Sequence, residues 1–101
     1  MPVATPDRLT EMLKAIADPT RRKILRLLRE KRGCCSIGER EGLCACDIEA
    51  RVRLSQPTVS HHMAILREAG LVDADKVGQW MWYRRNERAL QELAQALADE
   101  V

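Results

Sequence analysis

The chain has 101 residues, 46% of them hydrophobic and 32% charged, with a net charge of +2. That length bounds it to one domain with one modest core, a core that commonly gains stability by oligomerising or binding metal, and excludes a large enzyme. No apolar run approaches the roughly 18 residues needed to span a membrane, and MPVATPDRLT lacks a basic segment followed by an apolar one, so a cytoplasmic protein is expected.

Taken in chain order, the pattern predicts helices first and a hairpin late, without repeats or low-complexity stretches. Thr5 and Pro6 start a first helix, in which Leu9, Met12, Leu13 and Ile16 recur at i, i+3, i+4, i+7. Asp18 is a natural N-cap, with Pro19 at the first position of a second helix. Ile24, Leu27 and Leu28 face inward in that helix, and Gly33 stops it. Residues 20–32, TRRKILRLLREKR, set seven basic groups against Glu30, whereas residues 86–101 set Glu87, Glu92, Asp99 and Glu100 against Arg88. The first of these ends suits phosphate, although an arginine run by itself is also what a solvated helix face looks like. Residues 34–43 are expected as a loop, followed by a short third helix from about Asp47 to Val52.

Residues 54–72 read LSQPTVSHHMAILREAGLV and have the form of a recognition helix in a helix-turn-helix. Ser55 is a good N-cap, Gln56 and Pro57 fill a first turn where a missing proline N–H costs nothing, and Gly70 closes the helix. Val59, Met63 and Leu66 form its buried stripe. Gln56, Thr58, Ser60 and His61 then point away from that stripe, near the end that such motifs insert into the major groove. His61 and His62 are expected to meet phosphate or base edges rather than metal.

The segment VDADKVGQWMWYRR alternates around a turn containing Gly78, which predicts a β-hairpin. Beside a helix-turn-helix such a hairpin is a wing, whose tip (Lys76, Gly78, Gln79) and base (Arg84, Arg85) can touch phosphate or minor groove. Trp80 and Trp82 alternate with Met81 and Tyr83, a pattern of core packing more than of a stacking platform for single strands. A last helix starts at Asn86, with Leu90, Leu93, Ala94 and Leu97 at i, i+3, i+4, i+7. The helices near 6–17 and 86–101 have no other obvious cover, so Leu9, Leu13, Leu90, Leu93 and Leu97 are expected at a two-fold interface. The whole chain, 1–101, thus reads as one mainly α winged helix-turn-helix domain with a small β-hairpin, ordered ααααββα, acting as a homodimer.

Four cysteines, Cys34, Cys35, Cys44 and Cys46, fall within thirteen residues. In a reducing compartment they favour thiols or metal ligands over disulfides. Residues two apart on a helix point about 200° apart, so Cys44 and Cys46 can share an ion only if Cys44 lies in extended chain ahead of the helix. Cys34 and Cys35, being adjacent, tend to point to opposite sides, so one of them is expected to join the pair, Cys35 being nearer. An all-sulfur site selects thiophilic ions: As(III) and Sb(III), or Cd(II), Pb(II), Zn(II) and Hg(II). CC-x₈-C-x-C lacks the doubled C-x₂₋₄-C spacing of a structural zinc site, which favours sensing over scaffolding.

The stretches ADPTRRKILRLL at 17–28, LCACDI at 43–48, LSQPTVSHHMAILREAGLV at 54–72 and GQWMWYR at 78–84 together resemble the ArsR/SmtB family of winged-helix metalloregulators. The resemblance covers nearly the whole chain. It implies a homodimer that binds double-stranded operator DNA when free of metal and leaves it when metal binds. In members with LCxCD at this place, the cysteines matching Cys44 and Cys46 bind the inducer at the start of the third helix. The chain departs from members that sense zinc through the last helix, since ALQELAQALADEV has no histidine. It departs also from cadmium and lead sensors that add cysteines from an N-terminal arm, since residues 1–33 contain none, and Cys34 and Cys35 look like a local substitute. Pro57 stands where many members have a small polar residue.

Three thiolates satisfy a pyramidal ion, whereas cadmium or zinc prefers four ligands, so the expected inducer is As(III) or Sb(III). The alternatives are the same repressor answering to Cd(II), Pb(II), Zn(II) or Hg(II), or a thiol redox switch joining Cys34 or Cys35 to Cys44 or Cys46. An enzyme acting on a small organic substrate is not expected: no nucleophile with a positioned base, phosphate loop or paired catalytic carboxylates is visible.

Overall fold

Proline and glycine punctuation divides the chain as its apolar stripes require. The computed structural model describes residues 6–30 and 42–101. Thr5, Gly33, Cys34, Cys35 and most of the 34–43 loop, each assigned a role from sequence, lie outside the described residues. Helix α1 spans Pro6–Ala17 and α2 spans Pro19–Glu30. Between them the Asp18 carboxylate accepts the backbone N–H of Arg21 at 3.0 Å, an N-cap that satisfies one of the orphan donors of α2. Ile24, Leu25 and Leu28 are buried, whereas Leu27 is only partly so. The inward face of α2 is therefore rotated by roughly 50°, half a residue step, from the stripe expected from sequence.

Leu43–Cys44 forms a two-residue strand, β1, where a loop was expected. Cys44 is extended (φ −77°, ψ 162°) and caps α3, Ala45–Val52, which begins two residues earlier than its carboxylate suggested. Asp47 lies in the first turn instead, where a negative charge faces the positive end of the helix dipole. Arg53 ends α3 in the left-handed conformation (φ 58°), and three residues of turn lead into α4, Gln56–Glu68. At its far end Leu71 N–H reaches the Leu66 carbonyl (3.0 Å) and Gly70 N–H the Arg67 carbonyl (2.9 Å), with Gly70 at φ +81°. This is a Schellman closure, and it stops α4 sharply.

Strands β2 (Val72–Val77) and β3 (Trp80–Arg85) pair antiparallel around Gly78 and Gln79, with Val77 opposite Trp80. Gly78 takes φ +62° in a tip where an added Cβ would meet nothing. β3 is the central strand of a three-stranded sheet in the order β1-β3-β2, so Leu43 faces Tyr83 and Cys44 faces Trp82. Trp82 is buried as the alternation implied, but Trp80, nearer the tip, is 45% exposed. Asn86 then caps α5, Glu87–Glu100, by accepting Ala89 N–H at 3.0 Å.

Met12, Ile24, Leu28, Leu43, Ile48 and Leu66 make the centre of one core shared by α1 to α4 and the sheet. Each such side chain contributes on the order of 1.5–3 kcal/mol through burial. Leu9 and Leu93, expected at a two-fold interface, are already buried in this core, because α1 and α5 pack on one another within the chain. Leu13, Leu90 and Leu97 remain partly exposed. The helices and wing are those expected from sequence; the short strand β1 is added to them.

Gly42 is the tightest point in this arrangement. It sits at φ +100°, and a Cβ there would run into the Tyr83 carbonyl. Gly42→Ala is expected to lower unfolding free energy by about 2–4 kcal/mol, measured by urea denaturation, since strain and displacement of β3 act together.

Candidate metal centre and nucleic-acid interface

The strand-to-helix change at Cys44 solves the geometric problem of the CxC pair. Cys44 points out of extended chain and Cys46 out of the first helical turn, so their sulfurs face one place instead of opposing sides. Cys44, Cys46 and Asp47 present ligand atoms that all lie within 4.8 Å of one another. Cys44 is buried and Cys46 half-buried. The Cys44 thiol donates to Asp47 Oδ2 at 3.3 Å, and Asp47 is 1% exposed, the one buried charged residue among those described. Both cysteines stand at the N-terminus of α3.

Asp47 was read from sequence as a helix start, not as part of the cluster. Its spacing is the signal that could have found it: residues i and i+3 across an N-cap share a face, as in a capping box. The donor set of two thiols and a carboxylate fits a thiophilic or borderline ion. The candidate loop ligands Cys34 and Cys35 lie outside the described residues.

On α4, Val59, Met63 and Leu66 are buried while Gln56, Pro57, Thr58, Ser60 and His61 are exposed, the division the stripe implied. Ser55 makes no capping bond to the backbone; its hydroxyl bonds that of Thr58 at 2.9 Å. His62, grouped with His61 from sequence, turns inward instead, its side chain only 13% exposed. Neighbouring helical residues differ by 100° in direction, so the pair straddles the edge of the exposed face. The wing tip leaves Lys76, Gly78 and Gln79 exposed. Arg84 at its base pairs with Asp75 at 3.0 Å and Arg85 with Glu87 at 3.0 Å, so each guanidinium has a carboxylate partner within the chain. On the basic α2 face Arg22, Lys23, Arg26 and Arg29 are all exposed.

Among the described residues, Asp18 and Tyr83 are displaced from their ordinary values by this packing. The Arg21 backbone N–H holds the Asp18 carboxyl below the usual carboxylate range, against some desolvation and with help from the Arg21 charge and the Thr20 backbone N–H. Stability from that cap is thus present above the ordinary carboxylate pKa and lost only as pH falls through the lowered one. Burial pushes the Tyr83 hydroxyl up, with the Arg67 charge opposing it.

Residues 18–74 match the family profile described as bacterial regulatory protein, arsR family. The arsenical resistance operon repressor of Staphylococcus aureus is 40% identical over 89 residues, covering 88% of this chain and 76% of that protein. The transcriptional repressor SdpR of Bacillus subtilis is 38% identical over 84 residues, covering 83% of this chain and 82% of that protein. Among solved structures, an ArsR-like transcriptional regulator from Rhodococcus sp. RHA1 superimposes with a TM-score of 0.74 at 28% identity, over 98% of this chain and 82% of that one. The likeness extends alike to a relative named for arsenic and to one that is not, so it identifies a type of regulator more sharply than an inducer.

Proposed function

The chain belongs to the arsR family of bacterial regulatory proteins, and on that premise we propose that it is a repressor that holds operator DNA as a homodimer and releases it when As(III) or Sb(III) joins Cys44, Cys46 and one cysteine of the 34–35 pair. It is a transcriptional regulator, not an enzyme. The observation that carries the proposal is the convergence of Cys44, Cys46 and Asp47 within 4.8 Å at the start of α3, which packs on the exposed-faced helix α4.

The chain's own residues supply a route from thiolate to helix. A soft ion held here takes the thiols as thiolates. An ion bound there would take the place of the Cys44 thiol proton, so the Cys44–Asp47 hydrogen bond that ties the N-cap to the first turn of α3 would be lost. The start of α3 would then be held by the ion instead, and α4 packs on α3. Because both recognition helices must fit one duplex, a small rotation of each lowers affinity for the pair of half-sites.

A second reading rests on Asp47 itself. A carboxylate among thiolates suits Zn(II) or Cd(II), which accept mixed oxygen and sulfur ligands, better than As(III). Operator release measured under reducing conditions against As(III), Sb(III), Cd(II), Pb(II), Zn(II) and Hg(II) separates the two. As(III) or Sb(III) is expected to act at lower concentration than Zn(II). Cys44→Ser and Cys46→Ser keep operator affinity and lose the response, and Asp47→Asn keeps the As(III) response. Release by Zn(II) first, abolished in Asp47→Asn, would establish the second reading instead.

DNA contacts divide by chemistry. Gln56 and Ser60 can read base edges, whereas Lys76 offers only charge. Gln56→Ala should cost about 1–3 kcal/mol on the cognate site and relax preference at particular base pairs. Lys76→Ala should weaken all sequences alike and flatten the salt dependence, both read by fluorescence anisotropy across a salt series. If Gln56→Ala weakened every sequence equally, this orientation of α4 on DNA would be wrong.

The partly exposed Leu13, Leu90 and Leu97 suit a two-fold interface formed by α1 and α5. Leu97→Glu would place a charge there at a partly exposed position on the rim of the core. The expected outcome by sedimentation is a folded monomer, with operator affinity reduced about 100-fold or more because the two half-sites are no longer held together.

A further inference from the structure

Helix α1 ends where Asp18 and Pro19 begin α2, so the carbonyls of its last turn have no partners further along the same helix. Arginines of α2 fill that role. Arg21 Nε donates to the Ala15 carbonyl at 2.6 Å and Nη2 to the Lys14 carbonyl at 3.1 Å, while Arg22 Nη1 donates to the Ile16 carbonyl at 2.5 Å. The remaining arm of Arg21 points elsewhere. Its Nη1 lies 3.2 Å from His62 Nδ1, near the middle of α4, and Asp18 Oδ2 lies 4.0 Å from the same nitrogen.

We propose that Arg21 is a positioning residue for DNA binding: through His62 its guanidinium fixes the orientation of α4 against the C-terminal turn of α1. The inference rests on the operator-binding reading above and adds a residue to it. A guanidinium is planar and presents its donors in fixed directions, so bonds to two α1 carbonyls determine where the third points. A guanidinium cannot accept, so His62 Nδ1 is the acceptor and the ring proton sits on Nε2. The inward turn of His62 follows from this: the ring is used to hold α4 and is not offered to the groove. Since α1 is one of the two helices assigned to the dimer interface, the contact links the two-fold axis to the reading face. It therefore acts on the distance and tilt between the two recognition helices.

The test uses the metal-free full chain with Arg21→Ala, Arg21→Lys, His62→Leu, His62→Gln and the Arg21→Ala/His62→Leu pair. Operator affinity is measured on sites whose half-sites stand at the natural spacing and one base pair nearer or farther. Arg21→Ala and His62→Leu should each weaken the natural site about tenfold, and the double variant no further than the worse single, since they remove one shared contact. Arg21→Lys should behave like Arg21→Ala, and His62→Gln, whose amide oxygen can still accept, like the parent. The weakened variants should also discriminate less between spacings, an effect that mere loss of stability does not produce. In the DNA-free protein, the ¹⁵N shift of His62 Nδ1 should report an acceptor and should move in Arg21→Lys. Additive losses, unchanged spacing preference, or an Nδ1 shift indifferent to Arg21 would each overturn the proposal. If the parent bound no DNA upstream of its own coding region, the operator reading would fail, while the Nδ1 shift would still decide whether the contact exists.

Discussion

The change of backbone state at Cys44 is the constraint on which the other parts depend. That residue is at once the last of β1 and the N-cap of α3, extended at ψ 162° and followed directly by helix. One conformation therefore does three things. It brings the Cys44 and Cys46 sulfurs together, it registers Cys44 opposite Trp82 on the wing, and it directs α3 toward α4. The approach of β1 to β3 is close enough that Gly42 tolerates no side chain. A site built at this junction cannot rearrange without disturbing a sheet edge or a helix start, which makes it a suitable place to join ligand and DNA binding.

Helix α4 is held along its length by different means. Ahead of it, the left-handed Arg53 turns the chain out of α3. Near its middle His62 meets the Arg21–Asp18 junction, and at its end Gly70 closes it against Leu71. Its exposed side is left to Gln56, Thr58, Ser60 and His61. The basic side chains of α2 serve two ends: Arg21 and Arg22 complete the carbonyls of α1, whereas Lys23, Arg26 and Arg29 stand in solvent. Equal charges at neighbouring positions are thus structural or solvated according to direction alone.

Much of this was legible in the residues. Stripes at helical spacing, Asp18 with Pro19, Gly70 and Gly78 are local signals, because a helix face, a cap or a tight turn is decided within a few residues. The exposed face of α4 followed from the same arithmetic. Two cysteines separated by one residue also carried a condition, that Cys44 precede the helix, which the structure meets.

The remainder was not local. A two-residue strand has no period, so β1 exists only through its partner β3, and Asp47 joined the cluster only once α3 began at Ala45. Leu25 in place of Leu27, Trp80 exposed where Trp82 is buried, His62 turned inward, and Leu9 and Leu93 already covered within the chain are all decided by what lies across from each residue. By itself the sequence determined which segments are helical, where they stop and which residue types could bind a soft ion or a duplex, since those follow from backbone geometry and side-chain chemistry. Tertiary structure alone decided which of two adjacent side chains meets solvent and which meets a partner, because that depends on packing between segments distant in the chain.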